Sequence, residues 1–276
     1  AEAVMYHRWS SSRAKITGKS GSSITTLTVL GQPIPGELFA PNPEHRVHLE
    51  HNPAFIDQPT EWYLDRDTGV LTYLARPGVN PNNHTFTAPR LEKLIIIRGD
   101  IGTALQNIIF RGLSFKHTLW EPPGDFDYMG SQHTFSSEHF PDQYIVPPAI
   151  EMANADNCSF ERCYFANMST MGIGLGKGCD DNQIVDSEFY DIGAHAIMVG
   201  WRGDSDTGAV LGGGGTDYQF ANDWYMPEHI PNRNIISNNF VHDFDQEWFG
   251  NSGIADYFCK FTEITNNTVA GCGDSG

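Results

Sequence analysis

From about Asn107 onward the chain repeats itself, and this repetition limits the fold more than any other feature. Five segments carry an apolar residue, four spacers and a second apolar residue: Phe110–Phe115, Phe160–Phe165, Ile184–Phe189, Ile235–Phe240 and Ile264–Val269. A second apolar element follows, at Gly172–Leu175, Ala196–Val199 and Gly253–Asp256, with Ala149–Met152 opening the first complete repeat. Ile150, Ile173 and Ile197 are spaced by 23 and 24 residues. A period of this length, made of short strand-like pieces without helical periodicity, is the mark of a β-solenoid. Each piece is too small to bury an apolar face alone, so stacked coils must build one continuous core. Ser187, Asn238 and Asn267, with Cys163, recur at one corner register, where stacked side chains can bond along the axis. A doubly wound fold would need crossover helices, and no segment reads as one. The expectation is an all-β chain: a right-handed parallel β-helix over residues 101–276, preceded by a β-rich portion over residues 1–100.

The amino-terminal portion has its own signals. Glu61–Leu74 (EWYLDRDTGVLTYL) reads as a hairpin turning at Asp67-Thr68-Gly69, with Gly at the position that needs positive φ. Ser23–Leu30 alternates weakly, and Leu94–Arg98 is apolar and β-branched. Two stretches interrupt the repeat, Leu119–Pro148 and Trp201–Asn232. Long insertions between solenoid coils gather on one face and carry function. Gly276 falls at the register of Gly172, Ala196 and Gly253, so the chain is expected to stop mid-coil. The remainder of a longer chain, or a neighbouring subunit, would then cover the last coil.

Composition narrows the partners. A net charge of −17 argues against nucleic acid and against strongly acidic polymers. No apolar run approaches the roughly 20 residues of a membrane span. Five cysteines leave at least one thiol unpaired within the chain. Cys179 and Cys259 share a register but lie a whole coil apart, so mostly free thiols are expected. Sequons at Asn83, Asn157, Asn167 and Asn266 fit a secreted, glycosylated protein, extracellular or in a bacterial periplasm.

The runs EWYLDRDTG (Glu61–Gly69), LTYLARPG, LEKLIIIRGD and NIIFRGLSFKHT, then FYDIGAHAIMVGW and NIISNNFVHDF, resemble glycoside hydrolase family 141 and related pectate-lyase-like β-helix proteins. The resemblance covers nearly the whole chain. It implies a pectate-lyase-like solenoid with a β-rich insertion, and glycosidase activity on plant or algal polysaccharides. The chain departs from the pattern at Asp256, where an apolar residue is usual, and at Gly273–Gly276.

Glycoside hydrolysis needs two carboxyl groups across the scissile bond. Carboxylates at one register would lie about 5 Å apart on adjacent rungs and about 10 Å apart two rungs away. Asp245 and Asp274 each follow their repeat's first core position by ten residues, and Asp256 occupies an apolar slot where desolvation would raise its pKa. Asp243, Asp245, Asp256 and Asp274 are therefore the candidate catalytic acids, with His242 as their hydrogen-bonding partner. Trp201, Trp248, Tyr257 and His195 are candidate substrate-binding residues. No cofactor is expected; Asp204-Ser205-Asp206 offers only part of a calcium loop. The expected ligand is a polysaccharide or oligosaccharide. A lyase would want Lys or Arg in its groove, where they are scarce, and the non-enzymatic alternative is a structural or carbohydrate-binding solenoid.

Overall fold

The computed structural model describes residues 1–6, 10–27, 46–100, 102–121, 128–131, 135–139, 142–144, 146–200, 209–210, 230–257 and 259–272. The chain divides into two compact units, Ala1–Ala88 and Pro89–Gly276. Among the described residues the only helical elements are two 3-10 turns, Pro53–Phe55 and Pro81–Asn83. No helix among these residues is long and apolar enough to cross a membrane.

In the first unit Glu2–Tyr6 lies between Ser10–Ser20 and Arg46–Glu50, antiparallel to both. Arg13 crosses this sheet and bonds Glu2 and Glu50 at 3.1 and 2.6 Å. Ser23–Thr26 pairs back onto Ser10–Ser20. The expected hairpin is present as Trp62–Asp65 against Val70–Tyr73. The Asp65 carboxylate accepts from the N–H groups of Asp67 and Thr68, and Gly69 turns the chain at φ 71°. The Thr68 hydroxyl, followed by these backbone bonds, holds the Asp65 carboxyl below its ordinary pKa.

The second unit is built from parallel sheets in which each repeat adds one strand. Sheet A contains Ile95–Arg98, Pro148–Ala153, Met171–Leu175, Ile197–Val199 and Ile254–Asp256. Sheet B contains Ile109–Arg111, Ser159–Glu161, Gln183–Val185, Ile235–Ser237 and Glu263–Thr265. Sheet C contains Ser114–Thr118, Tyr164–Met168, Glu188–Ile192, Phe240–Phe244 and Thr268–Ala270. A short sheet of Leu105–Gln106, Ala155–Asp156 and Cys179–Asp180 bridges A to B. This order is compatible with a β-helix. Ile95–Arg98 is the first strand of sheet A, and the second unit begins at Pro89.

Inward residues form columns. Ile95, Ile150, Ile173, Ile197 and Ile254 share one register in sheet A, as the 23- and 24-residue spacings require. Phe110 stacks on Phe160 at 4.7 Å, Phe115 on Phe165 at 5.1 Å, and Phe165 on Phe189 at 4.5 Å. The fourth repeat is shifted by one residue from the sequence expectation. Ile236, not Ile235, pairs with Ile184, and Val241, not Phe240, pairs with Phe189. Two adjacent isoleucines satisfy an apolar template equally well; buried amides decide between them. Asn182 and Asn234 form one internal ladder, in which the Asn234 Oδ1 accepts from the Asn182 backbone N–H at 3.0 Å. Ser187, Asn239 and Asn267 form the other. The ladder residue is thus Asn239, and Asn238 sits outside, donating to Asp186 at 2.7 Å.

Three corner columns take positive φ: Asn107, Asn157, Asp181, Arg233 and Phe261; Gly112, Arg162, Asp186, Asn238 and Asn266; and His117, Asn167, Asp191, Asp243 and Gly271. Asn and Asp dominate because they tolerate the left-handed conformation at least cost. All five cysteines are free thiols; Cys158, Cys163 and Cys179 are buried, and burial pushes the Cys179 thiol far up.

Candidate functional site

Strand alternation fixes which side chains of sheet C face away from the core. Phe115, Phe165, Phe189, Val241 and Val269 point into the core in one register. Their neighbours therefore point outward in two columns. One column is Ser114, Tyr164, Glu188, Phe240 and Thr268; the other is Lys116, Ala166, Tyr190, His242 and Ala270.

His242 lies between two carboxylates on this face. Its Nε2 is 3.1 Å from Glu188 Oε1, and its Nδ1 is 3.0 Å from Asp243 Oδ2. The Phe240 ring stacks on it at 4.1 Å and the Tyr190 ring tilts against it at 4.9 Å. The imidazole is 20% exposed, while Glu188 and Asp243 are 46% and 51% exposed. Burial opposes the charge on the ring, yet the two carboxylates outweigh it and raise the His242 pKa above its ordinary value. The imidazole therefore fills the space between its two partner oxygens.

Beside this trio, at the corner between sheets B and C, is an open cavity of about 400 Å³. Arg162, Tyr164, Asp186, Glu188, Asn238 and Phe240 line it. Lys116 Nζ sits 4.7 Å from the centre of the Tyr164 ring. Burial, followed by the charge of Glu188, raises the Tyr164 pKa.

The other expected site residues are placed differently. Asp245 is fully buried, and its carboxylate accepts from the Gly250 N–H at 3.3 Å and from the Asn251 N–H at 3.0 Å. Trp248 is 3% exposed; its Nε1 donates to the Ser169 carbonyl at 2.6 Å and its ring packs edge-on against Trp120 at 4.8 Å. His195 is buried, and its Nδ1 is 2.9 Å from the Ser252 N–H that donates to it. Tyr257 packs against the cluster of Trp120, Met171, Met198 and Trp248, and burial raises its pKa. Asp256 does pair with Val199, as its apolar slot requires, but it is exposed rather than desolvated. The Cys259 thiol donates to it, and burial with that bond pushes the thiol pKa up to about 12. Asp274 and Trp201 lie outside the described residues, as does Asp204-Ser205-Asp206.

Sequence reasoning missed Glu188. The signal was available: Glu188 precedes the inward Phe189 by one position, so it points outward on the rung next to His242. It also missed Glu151, a buried carboxylate on the outer side of sheet A. Arg98 donates to its Oε1 at 2.7 Å, and Lys93 Nζ approaches Oε2 at 2.7 Å without hydrogen-bond alignment. No group of three or more His, Cys, Asp or Glu suited to a metal occurs among the described residues.

No family model and no curated protein matches the chain. A solved structure described as "Glycoside hydrolase" is similar to it with a TM-score of 0.75 at 18% identity. The match covers 98% of this chain and 50% of that one, so the chain spans half the length of the structure it resembles. At this identity the likeness establishes a shared fold.

Proposed function

We propose that the chain is a right-handed parallel β-helix from a secreted glycoside hydrolase, akin to family 141, that cleaves a cell-wall or extracellular polysaccharide. Handedness follows from the parallel crossover preference, which holds for about 98% of such connections. The similar fold of a protein described as a glycoside hydrolase supports the class. The observation that carries the proposal is the Glu188–His242–Asp243 arrangement: two exposed carboxylates bridged by one imidazole on an aromatic face. One carboxyl would protonate the glycosidic oxygen while the other activates water on the opposite face of the sugar. His242 holds both in place.

Reducing-end release from a panel of cell-wall polysaccharides tests this reading. Glu188→Gln and Asp243→Asn should each lower kcat by about 100-fold or more, with KM changed little. Cleavage unaffected by both substitutions would refute the assignment.

A second reading, a carbohydrate-binding or structural solenoid without catalysis, draws on the internal engagement of Asp245, Trp248 and His195. Under that reading the wild type binds polysaccharide and releases no reducing ends.

A further inference from the structure

We infer that the edge strand Arg46–Glu50 pairs with the same strand of a second copy of this chain, antiparallel and centred on His48. Three observations lead there.

The first is the edge itself. Arg46–Glu50 ends its sheet and, among the described residues, pairs on one side alone, with Glu2–Tyr6. Its outer N–H and C=O groups are therefore a template for one more strand. Edges of this kind are commonly blunted by proline, lysine or a bulge. The run RVHLE has neither residue, and its pairing with Glu2–Tyr6 proceeds without a register shift.

The second is what the edge exposes. Val47 and Leu49 are 48% and 41% exposed, and they share one face of the sheet because residues two apart in a strand point the same way. Val47 lies opposite Met5 and Leu49 opposite Ala3, so the apolar row of the inner strand continues outward to this last one. Arg46, His48 and Glu50 occupy the other face.

The third is self-complementarity, which selects the occupant. A two-fold axis at His48 places Arg46 opposite Glu50 of the second copy, Val47 opposite its Leu49, and His48 opposite itself. Opposite charges then meet at both ends, and apolar side chains meet between them. Arg46 is exposed and enters no ion pair among the described residues. Glu50 Oε2 accepts from Arg13 at 2.6 Å, whereas Oε1 has His48 Nε2 at 3.7 Å, beyond hydrogen-bond length, and can take the incoming guanidinium. A parallel pairing in register would instead bring Arg46 to Arg46 and Glu50 to Glu50, which like charges disfavour. The two-fold contact uses both edges, so assembly stops at two copies.

A five-residue pairing falls short of the roughly 1,200 Å² buried by stable complexes, so the dimer is transient. Sedimentation velocity on the full chain should show it as a shift from monomer to dimer with rising concentration. Arg46→Glu opposes Glu50 of the second copy with like charge, and Val47→Lys opposes Leu49 with an ammonium group. Each should weaken dimerisation about tenfold or more, because the two-fold doubles every loss. Leu71→Lys, at an exposed apolar position of the hairpin, should leave it unchanged. Thermal melting confirms that each variant is folded. Cysteine trapping reads the register: under mild oxidation His48→Cys should form a disulfide-linked dimer. Arg46→Cys should not, because its counterpart lies about 13 Å away along the paired strands. The wild type, with its own free thiols, is the control. A monomer at every concentration overturns the proposal. Dimerisation that survives both Arg46→Glu and Val47→Lys overturns it too, as does stronger trapping at Arg46→Cys than at His48→Cys. A dimer weakened by both substitutions and trapped at His48→Cys supports it.

Discussion

Asp245 offers a sharp test of how carboxylates in a solenoid divide between structure and chemistry. It is fully buried, at φ 59°, in the connection that leads from sheet C to sheet A. It accepts from two backbone N–H groups, those of Gly250 and Asn251, and from the Asn251 side chain at 3.3 Å. The Asn251 amide also donates to the Trp248 carbonyl, so the same turn seats Trp248 against Trp120. Asp245→Ala would strand buried donors at about 1–3 kcal/mol each and place alanine in a left-handed conformation at about 1 kcal/mol more. The expected loss is about 3–5 kcal/mol, or roughly 10 °C in melting temperature for a unit of this size. Asp245→Asn retains one acceptor oxygen and tolerates the positive φ, so it should cost about half as much. Thermal melting monitored by near-UV circular dichroism reads the effect, and hydrolysis per folded molecule should stay within a few-fold of wild type. The reasoning fails if Asp245→Ala melts within about 2 °C of wild type. It fails equally if the folded variant has lost hydrolysis.

Two further outcomes follow from other parts of the structure. Asn239→Ala removes the acceptor for the Ser187 N–H at 3.0 Å and the donor to the Ile184 carbonyl at 2.8 Å. It should lower stability by about 3 kcal/mol in denaturant titration, whereas Asn238→Gly, exposed and already at positive φ, should change it by less than about 1 kcal/mol. His242 has a folded pKa raised above 6.5, so its contribution is complete below 6.5 and fades as pH rises through the folded value. The denaturation midpoint gap between wild type and His242→Asn should therefore be larger at pH 5.5 than at pH 9, and an equal gap at both would refute the ion-pair account.

Much of the architecture was legible from periodicity. The isoleucine spacing fixed the sheet A column, and the Asp-Thr-Gly turn located the hairpin. Hydrophobic pattern alone did not resolve Ile235 from Ile236, because either can face the core. The choice depends on Asn234 and Asn239 reaching partners a rung away, and no local propensity reports that. Asp256 illustrates a different limit: its register was read correctly, yet exposure depends on what lies over a strand end. His242 was read as a hydrogen-bonding partner of a cluster that included Asp243, but the second carboxylate it meets comes from the preceding repeat. Glu188 is 54 positions away, linked only through the insertion that lengthens the intervening coil.

The corner columns have a consequence for how such a surface can vary. Each holds its backbone in the left-handed region, so the side chain there contributes little to the core and points away from it. Asn107, Asn157, Asp181 and Arg233 occupy one column with no common charge, and Asn157 bonds Asn107 at 2.6 Å while Arg233 bonds Asp181 at 2.7 and 2.6 Å. The backbone thus acts as a ruler marked at about 5 Å intervals. On it, charge can be rewritten one mark at a time without moving the marks.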